Sequence, residues 1–234
     1  PGRQGGGLLA SAGRSKDAVA ILRKAVADRE RSGAEEDLAD LYAALAESLV
    51  RAGRADDAVT TLRSAVAGRP GDEVLLYALG TAYESAGRRD AAVAQMRALL
   101  AIDPDHAEAL NFVAYSFAEQ GVRLEEAETL ARRALALKPR SGHVLDSLGC
   151  VLFRRGDVRR AVEVLEQADA LSGPDSTILE HLGDAYRAAS RLADAARAYS
   201  RALASVADEP LPEGPRRAAI EKKLRDVTAR SGRR

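Results

Sequence analysis

Residues 142–175 read GHVLDSLGCVLFRRGDVRRAVEVLEQADALSGPD, and residues 176–209 read STILEHLGDAYRAASRLADAARAYSRALASVADE. Laid one above the other, the two stretches agree without a gap. Leu145 falls on Leu179, Leu148-Gly149 on Leu182-Gly183, Leu152 on Tyr186, Ala161 on Ala195, Leu165 on Tyr199 and Ala168 on Ala202. Self-similarity at a fixed step of about 20 to 50 residues points to an array in which each unit is too small to bury its own apolar face.

Working outward, the same step runs through most of the chain. Ala58, Ala92, Ala127, Ala161 and Ala195 lie 34 or 35 residues apart. Nine or ten residues before each stands a large apolar or aromatic residue: Leu49, Tyr83, Phe117, Leu152 and Tyr186. Seven residues after each come Ala65, Leu99, Ala134, Ala168 and Ala202. A glycine (Gly13, Gly53, Gly87, Gly121, Gly156) usually precedes the alanine slot, and Pro70, Pro104, Pro139 and Pro174 close four of the units.

Within a unit the apolar residues fall at helical intervals, as Leu145, Leu148 and Leu152 do, followed after Gly156 by Val162, Leu165 and Ala168. The pattern predicts two short amphipathic helices per unit. Glycine ends the first by taking the left-handed conformation, and proline stops the second. The small residues let helix backbones approach closely and let one unit stack on the next.

These residues resemble the tetratricopeptide repeat family, whose 34-residue pattern places a large apolar residue, Leu-Gly, an aromatic, Ala, an aromatic, Ala and Pro at these intervals. The resemblance implies an all-α fold, a right-handed α-solenoid of antiparallel helix pairs with a C-terminal capping helix. It sets five units at 39–72, 73–106, 107–141, 142–175 and 176–209, the third with one extra residue in its turn, Gly121-Val122-Arg123-Leu124. Residues 1–38 read as a partial repeat with a turn at Gly13 and an extended helix bearing Ala18, Leu22 and Ala25, as though the chain entered an array in mid-unit. Residues 210–234 read as a cap on Ile220, Leu224 and Val227, followed by a basic tail. A narrower likeness covers 107–190. The runs Asn111-Phe112-Val113-Ala114-Tyr115-Ser116, Leu145-Asp146-Ser147-Leu148-Gly149 and His181-Leu182-Gly183-Asp184 are similar to the last repeats of large bacterial tetratricopeptide proteins, often exported or tied to the outer membrane. Where those relatives usually carry Trp, this chain has Cys150. The likeness leans localisation toward the cell envelope or periplasm, with the cytoplasm as the alternative.

Composition narrows the function. Basic and acidic residues balance at 35 each, so no overall field favours nucleic acid or an anionic membrane. Cys150 is the only cysteine, which excludes an intrachain disulfide and a Cys-rich zinc site. Arginine greatly outnumbers lysine and Met96 is the only methionine, a bias associated with GC-rich bacterial genomes. Gly5-Gly6-Gly7 lacks the Gly-Lys-Ser/Thr sequel of a phosphate loop.

In the family, the first helices line a concave groove. Its fifth and ninth positions carry over to Ala43 and Glu47, Tyr77 and Thr81, Asn111 and Tyr115, Asp146 and Cys150, and Glu180 and Asp184. No cation stands among them to clamp a C-terminal carboxylate. Tyr77, Asn111, Tyr115, Asp146, Cys150, Glu180 and Asp184 are therefore the expected peptide-binding residues, with Glu108 and Glu119 nearby, and a neutral or basic segment is the expected ligand. His143, Asp146 and Cys150 share a helix face, yet a rise of about 1.5 Å per residue sets His143 and Cys150 roughly 10 Å apart. That is too far to share a proton or a metal without help from another helix. No catalytic residue, metal or cofactor is expected. Arg216, Arg217, Lys222, Lys223, Arg225, Arg230, Arg233 and Arg234 read as a solvated cap face, without the aromatic residues that stack nucleic-acid bases. The reading is a protein-interaction scaffold and not an enzyme. The alternatives are a self-assembling array and an accessory region of a longer enzyme or envelope protein.

Overall fold

The computed structural model describes residues 4–33, 35–207 and 215–231, and among them are twelve α-helices and no strand. The helices are α1 (Gln4–Ser32), α2 (Leu38–Arg51), α3 (Ala55–Gly68), α4 (Glu73–Ser85), α5 (Arg89–Ile102) and α6 (Ala107–Gln120), then α7 (Leu124–Leu137), α8 (Gly142–Arg154), α9 (Val158–Ser172), α10 (Ser176–Ala188), α11 (Leu192–Ala207) and α12 (Pro215–Ser231). None of them is long and apolar enough to cross a membrane. The chain divides into two compact units, Pro1–Ala109 and Leu110–Arg234.

In the first unit each helix packs on the next from α1 to α5, and α2 also touches α4. Leu45, Leu49, Leu62, Leu75 and Leu79 form its core, joined by Val19 and Val26 from α1. The turn expected at Gly13 does not form. α1 runs unbroken through it and ends at Gly33, whose φ is +67°. One interior glycine costs a helix only about 1 kcal/mol relative to alanine, too little to break it by itself. The helix turns Val19, Leu22 and Val26 inward, one step round from the Ala18 and Ala25 expected there, which are half-buried.

In the second unit α8 packs on α7, α9 and α10, α10 on α9 and α11, and α12 closes on α11. Ile220 and Val227 of α12 are fully buried beside Leu179, Tyr199 and Val206, with Leu224 at the edge, so the C-terminal helix covers the apolar end of the last pair.

The turns inside the helix pairs share one device. Gly53, Gly87, Gly121 and Gly156 have φ between +67° and +86°. The next residue's N–H reaches five residues back to the carbonyl of Leu49, Tyr83, Phe117 or Leu152, at 2.8 to 3.0 Å. The repeating large residues are thus also the acceptors that close each first helix. In the last pair Ser190 takes the slot with φ +60°, and Arg191 N–H bonds Tyr186 O at 2.9 Å. The extra residue of the third turn is absorbed by a second left-handed residue, Arg123 at φ +49°.

Each first helix after α2 is opened by the residue just before it. Asp72, Ser141 and Asp175 accept backbone N–H bonds at the starts of α4, α8 and α10. His106 does the same through Nδ1, 3.2 Å from Ala109 N. In three pairs, those of α4, α8 and α10, the two helices then meet over a glycine, Gly80, Gly149 or Gly183. A Cβ at Gly149 would lie 2.5 Å from Leu165 Cγ, and one at Gly183 would overlap the Tyr199 ring.

Candidate functional site

The first helices α8 and α10 lie side by side, and what they turn toward each other is polar. Asp146 and Cys150, four residues apart on α8, are 6% and 7% exposed. His181 on α10 reaches into the gap: its Nδ1 lies 2.9 and 3.1 Å from the two carboxylate oxygens of Asp146 and 3.2 Å from Cys150 Sγ. Burial opposes charge on His181, but hydrogen bonds to the Asp146 carboxylate and the Cys150 sulfur outweigh it and raise its pKa. Burial pushes the Cys150 thiol up, against the lowering effect of His181.

Geometry and charge state together limit the chemistry. In a nucleophilic triad the carboxylate holds one ring nitrogen and the other serves the nucleophile. Here Asp146 and Cys150 meet the same nitrogen, and the thiol pKa moves away from reactivity. The three side chains do form a set of metal-ligand types, with ligand atoms all within 4.8 Å of one another. His143, which shares a face with Asp146 and Cys150 in sequence, is exposed, and the help from another helix comes from His181. The signal was available: His181 stands 35 residues after Asp146 and 31 after Cys150, about one repeat on, where the next first helix must lie.

Cys150 and His181 open onto a cavity of about 650 Å³, bordered by Tyr115 and Glu119 of α6 and by Glu180 and Asp184 of α10. The Tyr115 ring stands 6.3 Å from that of His181, tilted by 46°. Asn111, one turn before Tyr115, has its Oδ1 buried with no hydrogen-bond partner.

The charge of this cavity differs from the acidic groove expected. Glu180 and Asp184 are held by the C-terminal helix. Lys223 Nζ donates to Glu180 Oε1 at 2.7 Å and to Asp184 Oδ2 at 2.6 Å. Arg216 donates to Glu180 Oε2 at 3.4 Å and to Thr177 Oγ1 at 2.8 Å. Asp184 also accepts from Tyr199 O–H at 2.7 Å and pairs with Arg187 at 3.3 Å, while Arg154 stands 3.8 Å from Glu119. Burial favours neutral Lys223, but its bonds to the two carboxylates prevail and raise its pKa. Lys223 is therefore drawn off the solvated face expected of the cap and the exposed Arg216 is paired across to α10, whereas Arg217 and Arg225 pair with Glu221 on their own helix. Arg233 and Arg234 lie outside the described residues. The sequence missed these pairs because helix position alone does not tell which way a capping helix turns.

Tyr77, in the first unit, stacks on His106 with centroids 5.5 Å apart and rings 20° from parallel. Thr81 donates to the Ala78 carbonyl, and Glu47 pairs with Arg51 at 3.1 Å, both within their own helices.

Known proteins match this architecture. Models of the tetratricopeptide repeat match residues 49–114 and 147–210. The TPR repeat-containing protein PA4667 of Pseudomonas aeruginosa is 30% identical over 177 residues, 76% of this chain but 29% of that relative, so the chain spans under a third of its length. TTC0263, a thermophilic TPR protein of Thermus thermophilus, superposes with a TM-score of 0.67 at 24% identity, covering 80% of this chain and 98% of that one. PilF of Pseudomonas aeruginosa gives 0.62 at 24% identity, covering 83% and 88%. The repeat is matched in both compact units and the helix pairs share the fold, so the chain belongs to the tetratricopeptide repeat family, whose members are in general non-catalytic scaffolds for protein–protein interaction.

Proposed function

We propose that the chain binds a peptide or protein segment along the first-helix face of its second unit, with Asn111, Tyr115 and His181 as the central contacts. One observation carries the reading. The cavity beside Tyr115 and His181 holds aromatic and polar groups together, and the buried Asn111 Oδ1 nearby lacks a donor. A buried acceptor without a partner costs about 1–3 kcal/mol, which a backbone N–H of an extended ligand would recover when binding turns the Asn111 amide toward the cavity. Tyr115 offers a rigid apolar face at small entropic cost.

The ion pairs favour the neutral half of the sequence-based expectation. A basic ligand group would have to take the place of Lys223 at Glu180 and Asp184. Tyr77, stacked on His106, is a separate candidate contact within the first unit.

The test selects peptides from a random display library on the whole chain and maps them by amide exchange. Protection of α6, α8 and α10, with at least a tenfold loss of affinity in Tyr115→Ala, supports the reading. Selected peptides that bind Tyr115→Ala and Asn111→Ala as well as the parent, or that protect other helices, overturn it.

A further inference from the structure

We propose that Asp146, Cys150 and His181 form a binding site for one divalent transition-metal ion of zinc-like chemistry, set in the wall of the second unit's cavity. Carboxylate oxygen, thiolate sulfur and imidazole nitrogen are three of the donor types that zinc takes, at about 2.0 to 2.3 Å from the metal. Tetrahedral bonds of that length set neighbouring donors about 3.3 to 3.6 Å apart. His181 Nδ1 already lies 2.9 Å from Asp146 Oδ1 and 3.2 Å from Cys150 Sγ, so these two pairs need spread by only a few tenths of an ångström, while the Asp146 and Cys150 donor atoms, within 4.8 Å of each other, adjust to the same ion.

Nδ1 carries one hydrogen at most and the Cys150 thiol one more, while two carboxylate oxygens and the sulfur all face that one nitrogen. A metal ion in that position serves all three side chains at once. Binding forms metal–nitrogen, metal–sulfur and metal–oxygen bonds, and the protons of Nδ1 and of the thiol leave to solvent. Thiolate and carboxylate then offset the two positive charges, as a site buried to this degree requires. Sulfur and imidazole donors select zinc, cobalt or copper over magnesium and calcium.

Helix geometry holds the donors in place. Asp146 and Cys150 are one turn apart on α8, and both helices are fixed by the glycine seams at Gly149 and Gly183. Three protein donors leave the fourth position toward the cavity, where water, the Glu119 carboxylate or a group from a bound partner can enter. The site goes beyond peptide binding; it shares His181 with the proposed peptide contacts, but it is tested by metal alone, so either reading can fail without the other.

The experiment uses the whole chain, reduced and stripped of metal, titrated first with cobalt(II) chloride and then with zinc chloride. We expect one equivalent of cobalt, a thiolate-to-cobalt charge-transfer band in the near ultraviolet, and displacement by zinc. Cys150→Ser changes a single atom, so the fold persists; it should abolish the band and weaken zinc binding by at least about tenfold, the loss that even an outer-shell change produces. His143→Ala, on the exposed face of the same helix, should change neither. A wild-type chain without the band overturns the proposal whatever the variants do. So does zinc affinity that is the same in Cys150→Ser as in the parent, which would place the ion on surface groups.

Discussion

Helix α8 presents two faces with opposite rules. Toward α9 it offers Leu148, Gly149 and Leu152, each with a counterpart one repeat later in Leu182, Gly183 and Tyr186. Toward α10 it offers Asp146 and Cys150, whose counterparts, Glu180 and Asp184, differ in reach or in kind. The seam must pass the same test in every pair, because two backbones have to meet at one distance. The other face meets whatever the next helix or a ligand brings, so chemistry collects there.

The largest effect should come from the seam. A Cβ at Gly183 would strike the ring of Tyr199, which is fully buried and tied through its hydroxyl to Asp184. Gly183→Ala is expected to destabilise the chain by about 2–3 kcal/mol in urea denaturation, the upper part of the usual range for overpacking. At Gly80 the nearest atom to an added Cβ, at 2.6 Å, is Met96 Cε, the free end of a flexible side chain. Gly80→Ala should therefore stay within about 1 kcal/mol of the parent, since alanine's helix preference offsets the crowding. Equal losses at both sites would mean that the seam is fixed by the glycine backbone and not by what packs on it.

Next in size is the contact of the polar face with α12. Lys223 is 25% exposed, and its two carboxylate partners are 17% and 19% exposed. Lys223→Ala leaves Glu180 and Asp184 one turn apart with like charge, and should cost about 2 kcal/mol, in the range for charged hydrogen bonds. Amide exchange in α12 should quicken with it. Lys222→Ala, on the exposed side, should stay within about 0.5 kcal/mol. If the two substitutions behave alike, the polar face of α10 is not held by the C-terminal helix.

Legibility followed the same division. The seam was written in the sequence, since Leu-Gly, the alanine slot and the glycine turns carry one geometric demand each time they occur. Gly53, Gly87, Gly121 and Gly156 were readable as left-handed turns for that reason. The polar face was readable only as positions. Asp146 and Cys150 could be placed on it, but His181 sits one position after Glu180, outside the fifth-and-ninth register used to find them. Lys223 comes from a helix that does not repeat, so no period could point to its partners. The same holds for Gly13, where a glycine spaced like a turn lies in the interior of α1.

A smaller test moves to the turns. Ser190 holds with a side chain the left-handed conformation that glycine takes in the four earlier turns, at φ +60°. That conformation costs a residue with a Cβ about 1 kcal/mol, so Ser190→Gly should raise stability by about that amount. Gly156→Ser, at φ +86°, should lower it by at least as much. Both are read from the shift in the thermal midpoint. A Ser190→Gly variant no more stable than the parent would show that the last turn is held by Arg191 and Tyr186, stacked 4.3 Å apart, more than by backbone preference.

The smallest effect is expected where the polar face serves something other than stability. Removing a buried amide that has its partners normally costs about 1 kcal/mol or more, because a donor or acceptor elsewhere is left unpaired. Asn111 Oδ1 has no partner to abandon. Asn111→Ala should therefore change the stability in urea by less than about 0.5 kcal/mol, the packing lost being offset by relief of the stranded oxygen. Its mark should appear instead in the affinity for peptides selected on the whole chain, as a loss of about tenfold for one unmade hydrogen bond. A variant that loses stability but keeps affinity would place Asn111 with the seam, as a packing residue, and take away the acceptor on which the ligand's backbone was to hang.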